Sequence, residues 1–161
     1  MSQIKFVKDV LSEQLYQPNT LTIELDGSQL KTESDFLVEI WEKLNFPMHH
    51  ICWDAYLDWI TDLSWIKEKT INIVINNFSD FLSSSPKYKN HFIEDANQHI
   101  IPYWDKNAAA VWEEQEEQIK TINIYCVEND SDFQNGSLPS NNVIFCVFYV
   151  EFFSFFLNKF P

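Results

Sequence analysis

The stretch HHICWDAYLDWITDL, residues 49–63, holds most of the groups in this chain that could do chemistry. Asp54, Asp58 and Asp62 recur every four residues. At about 100° per helical residue they occupy roughly 80° of one helix face. Tyr56, Trp59, Ile60 and Leu63 fall on the other side, where a core would want them. Two uses suit such a stripe. Paired carboxylates can act as acid and base in an enzyme, provided that they line a cleft. Alternatively they can dock into a cationic pocket on another macromolecule, accepting bidentate arginine bonds in places meant for phosphate. A helix face is convex, which favours docking. Like charges at this spacing cost an isolated helix about 0.2–0.5 kcal/mol per pair. Asp54, the expected N-cap, recovers part of that at the positive end of the helix dipole, whereas Asp62 near the other end recovers nothing. The stripe is thus mildly unfavourable for folding, which points to a use outside folding.

The remaining reactive residues carry less. His49, His50 and Cys52 could ligate a metal, but no second Cys/His pair accompanies them. They read as loop or partner-contact residues. His91 and His99, with Glu94 and Asp95 between them, read as a solvated helix face. Cys126 sits in an apolar run and reads as packing. Serine-nucleophile motifs are absent, and with only two glycines the chain has no Gly-rich phosphate loop. Neither a catalytic residue nor a metal nor a cofactor is expected.

Composition narrows the partner. The 161 residues are 45% hydrophobic and 16% aromatic, which is a folding composition. The net charge of −13 excludes the basic footprint of a nucleic-acid binder and opposes an anionic membrane surface. Its natural complement is a basic macromolecule. Cys52, Cys126 and Cys146 are few and widely spaced, which fits a reducing compartment. No leader is visible in MSQIKFVKDV, so the expected location is cytoplasmic.

The elements that must position the stripe follow from periodicity. Ile4, Val7, Leu11 and Leu15 predict an amphipathic helix over residues 3–15. Residues 21–27 alternate as a strand and end at Asp-Gly. Thr32 and Asp35 open a helix whose apolar stripe is Phe36, Leu37, Ile40, Trp41 and Leu44. A loop over 47–53 leads into the acidic helix, expected over 54–65. Residues 71–78 and 122–127 have the β-branched density of buried strands. Between them a short helix capped by Ser79 is expected, then a longer one over 87–105, kinked or divided by Pro102. The charge run at 113–118 reads as a solvated face. Strands separated by helices force crossovers, hence an α/β fold with a small parallel sheet of three strands.

Beyond Val127 the character changes. Residues 128–142 are a polar loop, and 143–157 are apolar except for Glu151 and Ser154. That segment is shorter than the roughly 20 residues of a membrane span, and Glu151 would sit near its middle. It is expected as an added strand, pairing with 122–127 or with an edge of the sheet. A membrane-tethered adaptor is the competing reading.

The run Trp53-Asp54-Ala55-Tyr56-Leu57-Asp58-Trp59, after a Leu-Asn-Phe-Pro helix end and between the first two strands, resembles the barstar family. The likeness covers roughly residues 20–128 and divides the chain into an N-terminal helical extension (1–19), a barstar-like domain (20–128) and a C-terminal extension (129–161). It implies a three-stranded parallel sheet packed with helices. It also implies an intracellular inhibitor or immunity protein that plugs the active site of a nuclease, with a ribonuclease toxin as target. By position Asp54 and Asp58 match the family's acidic contacts, Asp58 entering the phosphate-binding cations, with Trp53 and Trp59 flanking and Trp59 read as core. His50 and Cys52 stand where the family commonly has Gly and Asn, so the loop departs from the pattern where fit to a target is set. The expected partner-binding set is therefore Asp54, Asp58, Trp53, His49, His50, Cys52 and Asp62.

Overall fold

The computed structural model describes residues 1–10, 12–47, 50–111 and 116–128. Strands β1 (Gln3–Val7), β2 (Thr20–Asp26), β3 (Thr70–Asn76) and β4 (Thr121–Val127) form one sheet in the order β1-β4-β3-β2. Every pairing is parallel. Alternation sorts the faces: Ile71, Ile73, Ile75, Ile122 and Ile124 join the main core beneath the helices. Asn72, Val74, Asn123 and Tyr125 lie on the other face, where Leu15 packs on Val74 and Tyr125. The buried amides there pair with each other: Asn123 Nδ2 donates to Asn72 Oδ1 at 2.9 Å, and Asn72 Nδ2 donates to the Leu15 carbonyl at 3.2 Å.

The fourth strand corrects the expected N-terminal helix. Helical period fits Ile4 and Val7, but Ile4 and Phe6 also fit a strand, and both pack against the main core. The free edge of β4 decides between them by offering a ladder from Gln3↔Asn123 to Val7↔Val127. Only one turn of helix follows, α1 (Ser12–Leu15). With β1 on one side and β3 on the other, β4 is paired along both edges by described strands. Residues 143–157, expected as an added strand, lie outside the described residues. Ser2 extends the seam, its Oγ accepting the Ile122 N–H at 3.0 Å while its own N–H donates to Asp105. Deleting residues 1–9 should therefore cost about 3 kcal/mol or more in urea denaturation, from lost apolar burial and ladder bonds. An unchanged midpoint would reduce β1 to an ornament.

Helix α2 (Glu33–Leu44) opens with a full capping box: Thr32 Oγ1 accepts the Asp35 N–H at 3.2 Å, and Asp35 Oδ2 accepts the Thr32 N–H at 2.9 Å. Hydrogen bonding from the Thr32 side chain, then from its backbone N–H, holds the Asp35 carboxyl below its usual range. Asp26 is lowered likewise, chiefly by the Asn77 amide at 2.8 Å and by Ser28. Both carboxyls are easier to ionise folded than unfolded. Their stabilisation is complete above the ordinary carboxylate range and is lost as pH falls through their folded values. Urea midpoints should thus hold between about pH 7 and 5 and drop below about pH 4. Asp26→Asn with Asp35→Asn should flatten that drop.

The two β2 and β3 ends meet closely. A Cβ on Gly27 would lie 2.5 Å from the Asn77 carbonyl oxygen, so only glycine fits. The expected helix behind Ser79 is instead a series of turns over residues 77–84. Its backbone is committed elsewhere: the Leu82 and Ser84 N–H groups donate to the Leu30 and Lys31 carbonyls at 2.8 and 3.0 Å.

A helical run then extends from Pro86 to Val111 as α4 (Pro86–Asp95), two π turns (Ala96–Ile100 and Tyr103–Asn107) and α5 (Ala108–Val111). Pro102 does not end it; it sits between the π turns. The reason lies in the buried stripe. Phe92, Ala96, Ile100, Trp104 and Ala108 are all buried, at strict four-residue spacing. In a pure α-helix such a stripe drifts by about 40° per step, about 160° in all. Each π turn inserts one residue and returns about 100°. The five-residue bonds from Ile101 N–H to the Ala96 carbonyl and from Ala108 N–H to the Tyr103 carbonyl are the means.

Candidate functional site

Helix α3 (Trp53–Asp62) presents the acidic stripe. It begins earlier than expected: Cys52 is the N-cap, with no side-chain cap bond, and Asp54 stands in the first turn. It ends earlier too, because Leu63 turns left-handed (φ 49°) and buries its side chain. Tyr56 and Ile60 point into the core, as the phase requires. Burial, with the Asp95 charge behind it, raises the Tyr56 phenol well above its ordinary range, so the hydroxyl stays neutral.

Asp54 and Asp58 are exposed and Asp62 is half-buried. Among the described residues no hydrogen bond or ion pair engages the carboxylates of Asp54 and Asp58. Asp62 Oδ1 accepts the Ser64 N–H at 3.3 Å. A shallow depression of ≈320 Å³ is lined by His50, Ala55, Asp58, Trp59 and Asp62. It brings two of the three acids together with the loop histidine, and leaves Asp54 on its flank. The acid-base reading required Asp54 and Asp58 in one cleft, which this arrangement does not provide.

Trp59, expected in the core, packs against it from the rim. Its ring is half-buried, lies edge-on to Trp65 at 5.6 Å and forms a wall of the depression. At roughly 140° from Asp54 around the helix it lies between the two faces, where periodicity alone cannot assign a side. Trp53 is also half-buried but turns inward, against Phe36, Tyr56, Tyr88 and His91. Its indole N–H donates to Asp95 Oδ2 at 2.8 Å. His50 is exposed and Cys52 is half-buried with a free thiol. His49 lies outside the described residues. Ile51, missed by the sequence reading, is 43% exposed beside His50. An exposed isoleucine in a loop is unremarkable by pattern, and only its place beside the acids singles it out.

Among the described residues no cluster of three potential ligands could hold a metal ion. His91 and His99 do not act as a pair: His91 packs on Trp53 and Tyr88, and His99 Nε2 lies 3.8 Å from Asp95 Oδ1. Cys126 is buried, and burial, reinforced by Glu128, raises its thiol above the ordinary range despite the opposing Lys89 charge. It is an inert packing residue. The arrangement offers an open anionic face with an aromatic wall, able to accept hydrogen bonds from cations.

A family model described as Barstar (barnase inhibitor) matches residues 20–122, more than half of the chain. The match runs from the start of β2 to the first residues of β4, and β1 lies outside it. No curated protein and no solved structure matches.

Proposed function

We infer that this chain, which belongs to the barstar family of ribonuclease inhibitors, blocks the active site of a basic nuclease with the exposed acidic face of α3 and the loop before it. Proteins of this family are inhibitors, not enzymes. The observation that carries the reading is the pair of exposed carboxylates Asp54 and Asp58, unengaged among the described residues, on a chain of net charge −13. A nuclease active site binds phosphate with cations, and carboxylates on a convex helix can occupy those places by charge-assisted hydrogen bonds. Trp59 adds an aromatic wall against which an arginine side chain can lie. The divergent loop residues His50 and Cys52, with exposed Ile51 between them, set which nuclease fits.

The same reading makes the chain a cytoplasmic immunity protein for a ribonuclease toxin, with no direct contact to nucleic acid and no membrane. Its charge repels both polyanions. Among the described residues no helix is long and apolar enough to cross a membrane. The 1–19, 20–128 and 129–161 division stays part of this proposal, with the first piece now supplying β1.

Titrating barnase with the purified chain tests the reading. Ribonuclease activity should fall to zero at one-to-one stoichiometry. Raising salt from about 50 to 500 mM should slow association far more than it speeds dissociation, because screening removes steering between charged surfaces. Full activity at excess inhibitor, against barnase and against any basic toxin domain encoded beside this gene, would overturn it.

A further inference from the structure

We infer that Asp95 is a positioning residue for the partner-binding face: it fixes Trp53, and through Trp53 the first turn of α3 that carries Asp54. The inference rests on the function proposed above. The first turn of α3 needs an external hold. Its N-cap, Cys52, supplies no side-chain acceptor, so the orphan N–H groups of that turn lack the bond that Thr32 gives α2. Helix ends without such bonds fray, and here the fraying turn would be the one bearing an acidic contact.

Trp53 is that hold. Its ring is wedged between the core and α4, with centroids 5.9 Å from Phe36, 5.5 Å from Tyr56 and 5.3 Å from Tyr88. Ring contacts set no unique direction for the indole N–H; the hydrogen bond to Asp95 does. The acceptor is a carboxylate on a side chain only 16% exposed, where a charge-assisted bond is stronger than in water. Asp95 does not line the depression, so it acts through Trp53 and not by touching a partner there.

The π turns make the hold two-ended. At the far end of α3, the Trp104 indole N–H donates to the Ile60 carbonyl at 3.0 Å in a buried setting. Asp95 and Trp104 are nine residues apart, which in an α-helix would put them about 180° apart on opposite faces. The residue inserted by the first π turn alone brings them within about 80°. One helical run therefore grips both ends of the acidic helix.

The test compares the full chain with Asp95→Asn, which keeps an acceptor, Asp95→Leu, which removes it, and Trp53→Phe, which removes the donor but keeps a ring. In the free protein the Trp53 indole proton should exchange slowly in wild type and Asp95→Asn and rapidly in Asp95→Leu. Backbone amides of residues 53–57 should lose protection in Asp95→Leu and Trp53→Phe, while the sheet and α2 keep theirs. With barnase as probe, both should dissociate roughly tenfold faster, the loss expected of one charge-assisted bond, with association unchanged and Asp95→Asn restored. The inference is overturned if indole exchange is equal in all acceptor variants, if protection is lost evenly across the sheet, or if dissociation does not change once the indole is released. A wild-type chain that leaves barnase active would sink the function proposed above, and the exchange measurements would still decide whether Asp95 holds Trp53 and the first turn.

Discussion

Asp58→Ala should weaken partner binding by about 2 kcal/mol, near thirtyfold in Kd, while Asp62→Ala costs under about 0.5 kcal/mol. The two residues sit on one face, four apart, and both line the depression. What separates them is prior commitment. Asp58 is exposed, and among the described residues nothing engages its carboxylate. Asp62 is half-buried and already spends one oxygen on the Ser64 N–H. A partner's cation gains a full charge-assisted bond from Asp58 but must compete for Asp62. Folding should not suffer from the first change, since it removes like-charge repulsion along α3 and touches no core contact. Calorimetric titration of each variant, with urea curves alongside, reads both quantities. Equal losses from the two substitutions would overturn the binding pose.

Phe36→Ala should cost about 3–5 kcal/mol of stability, read as a lower urea midpoint. Phe36 is fully buried at the centre of an aromatic cluster. Its ring meets Tyr56 and Phe81 at 5.3 Å, Phe92 at 5.5 Å and Trp53 at 5.9 Å. Those partners come from α3, the 77–84 turns and α4, so a single cavity would loosen three segments at once. Close packing leaves no neighbour free to refill the space. Against a typical total of about 5–15 kcal/mol, the loss threatens the fold itself. Phe36→Leu, which keeps most of the volume, should cost less than half as much. Because Trp53 and Tyr56 rest on this ring, affinity should fall with stability, unlike in Asp58→Ala. A midpoint unmoved by Phe36→Ala would show that the cluster does not hold these segments together.

The sequence made some of this legible and hid the rest for identifiable reasons. Strands β2, β3 and β4 and helix α2 carry strong local patterns, and the capping box at Thr32 and Asp35 could be read from two residues. The acid stripe and its inward partners Tyr56 and Ile60 follow from helical phase. Residues 3–7 did not, because Ile4 with Val7 fits the helical period, Ile4 with Phe6 fits the strand period, and a distant edge made the choice. The turns around Ser79 were hidden by bonds to Leu30 and Lys31, some fifty residues upstream. The helix over 87–105 was legible, but a break was expected at Pro102, whereas the drift of the buried Phe92–Ala108 stripe is taken up by two π turns. Trp59 sits at an angle that phase cannot assign. The Trp53–Asp95 bond joins residues 42 apart and has no local signature.

The seam between β1 and β4 also has a consequence for synthesis. Gln3 pairs with Asn123, so β1, made before the other three described strands, must wait for β4 to find its neighbour. At roughly 10 residues per second, β1 waits on the order of ten seconds with its backbone unpaired. The sheet cannot close until residue 127 has emerged. Nascent chains stopped earlier carry two open edges in place of a seam, and are the form most exposed to aggregation and proteolysis. The four-stranded sheet therefore completes in one step, once β4 has been made.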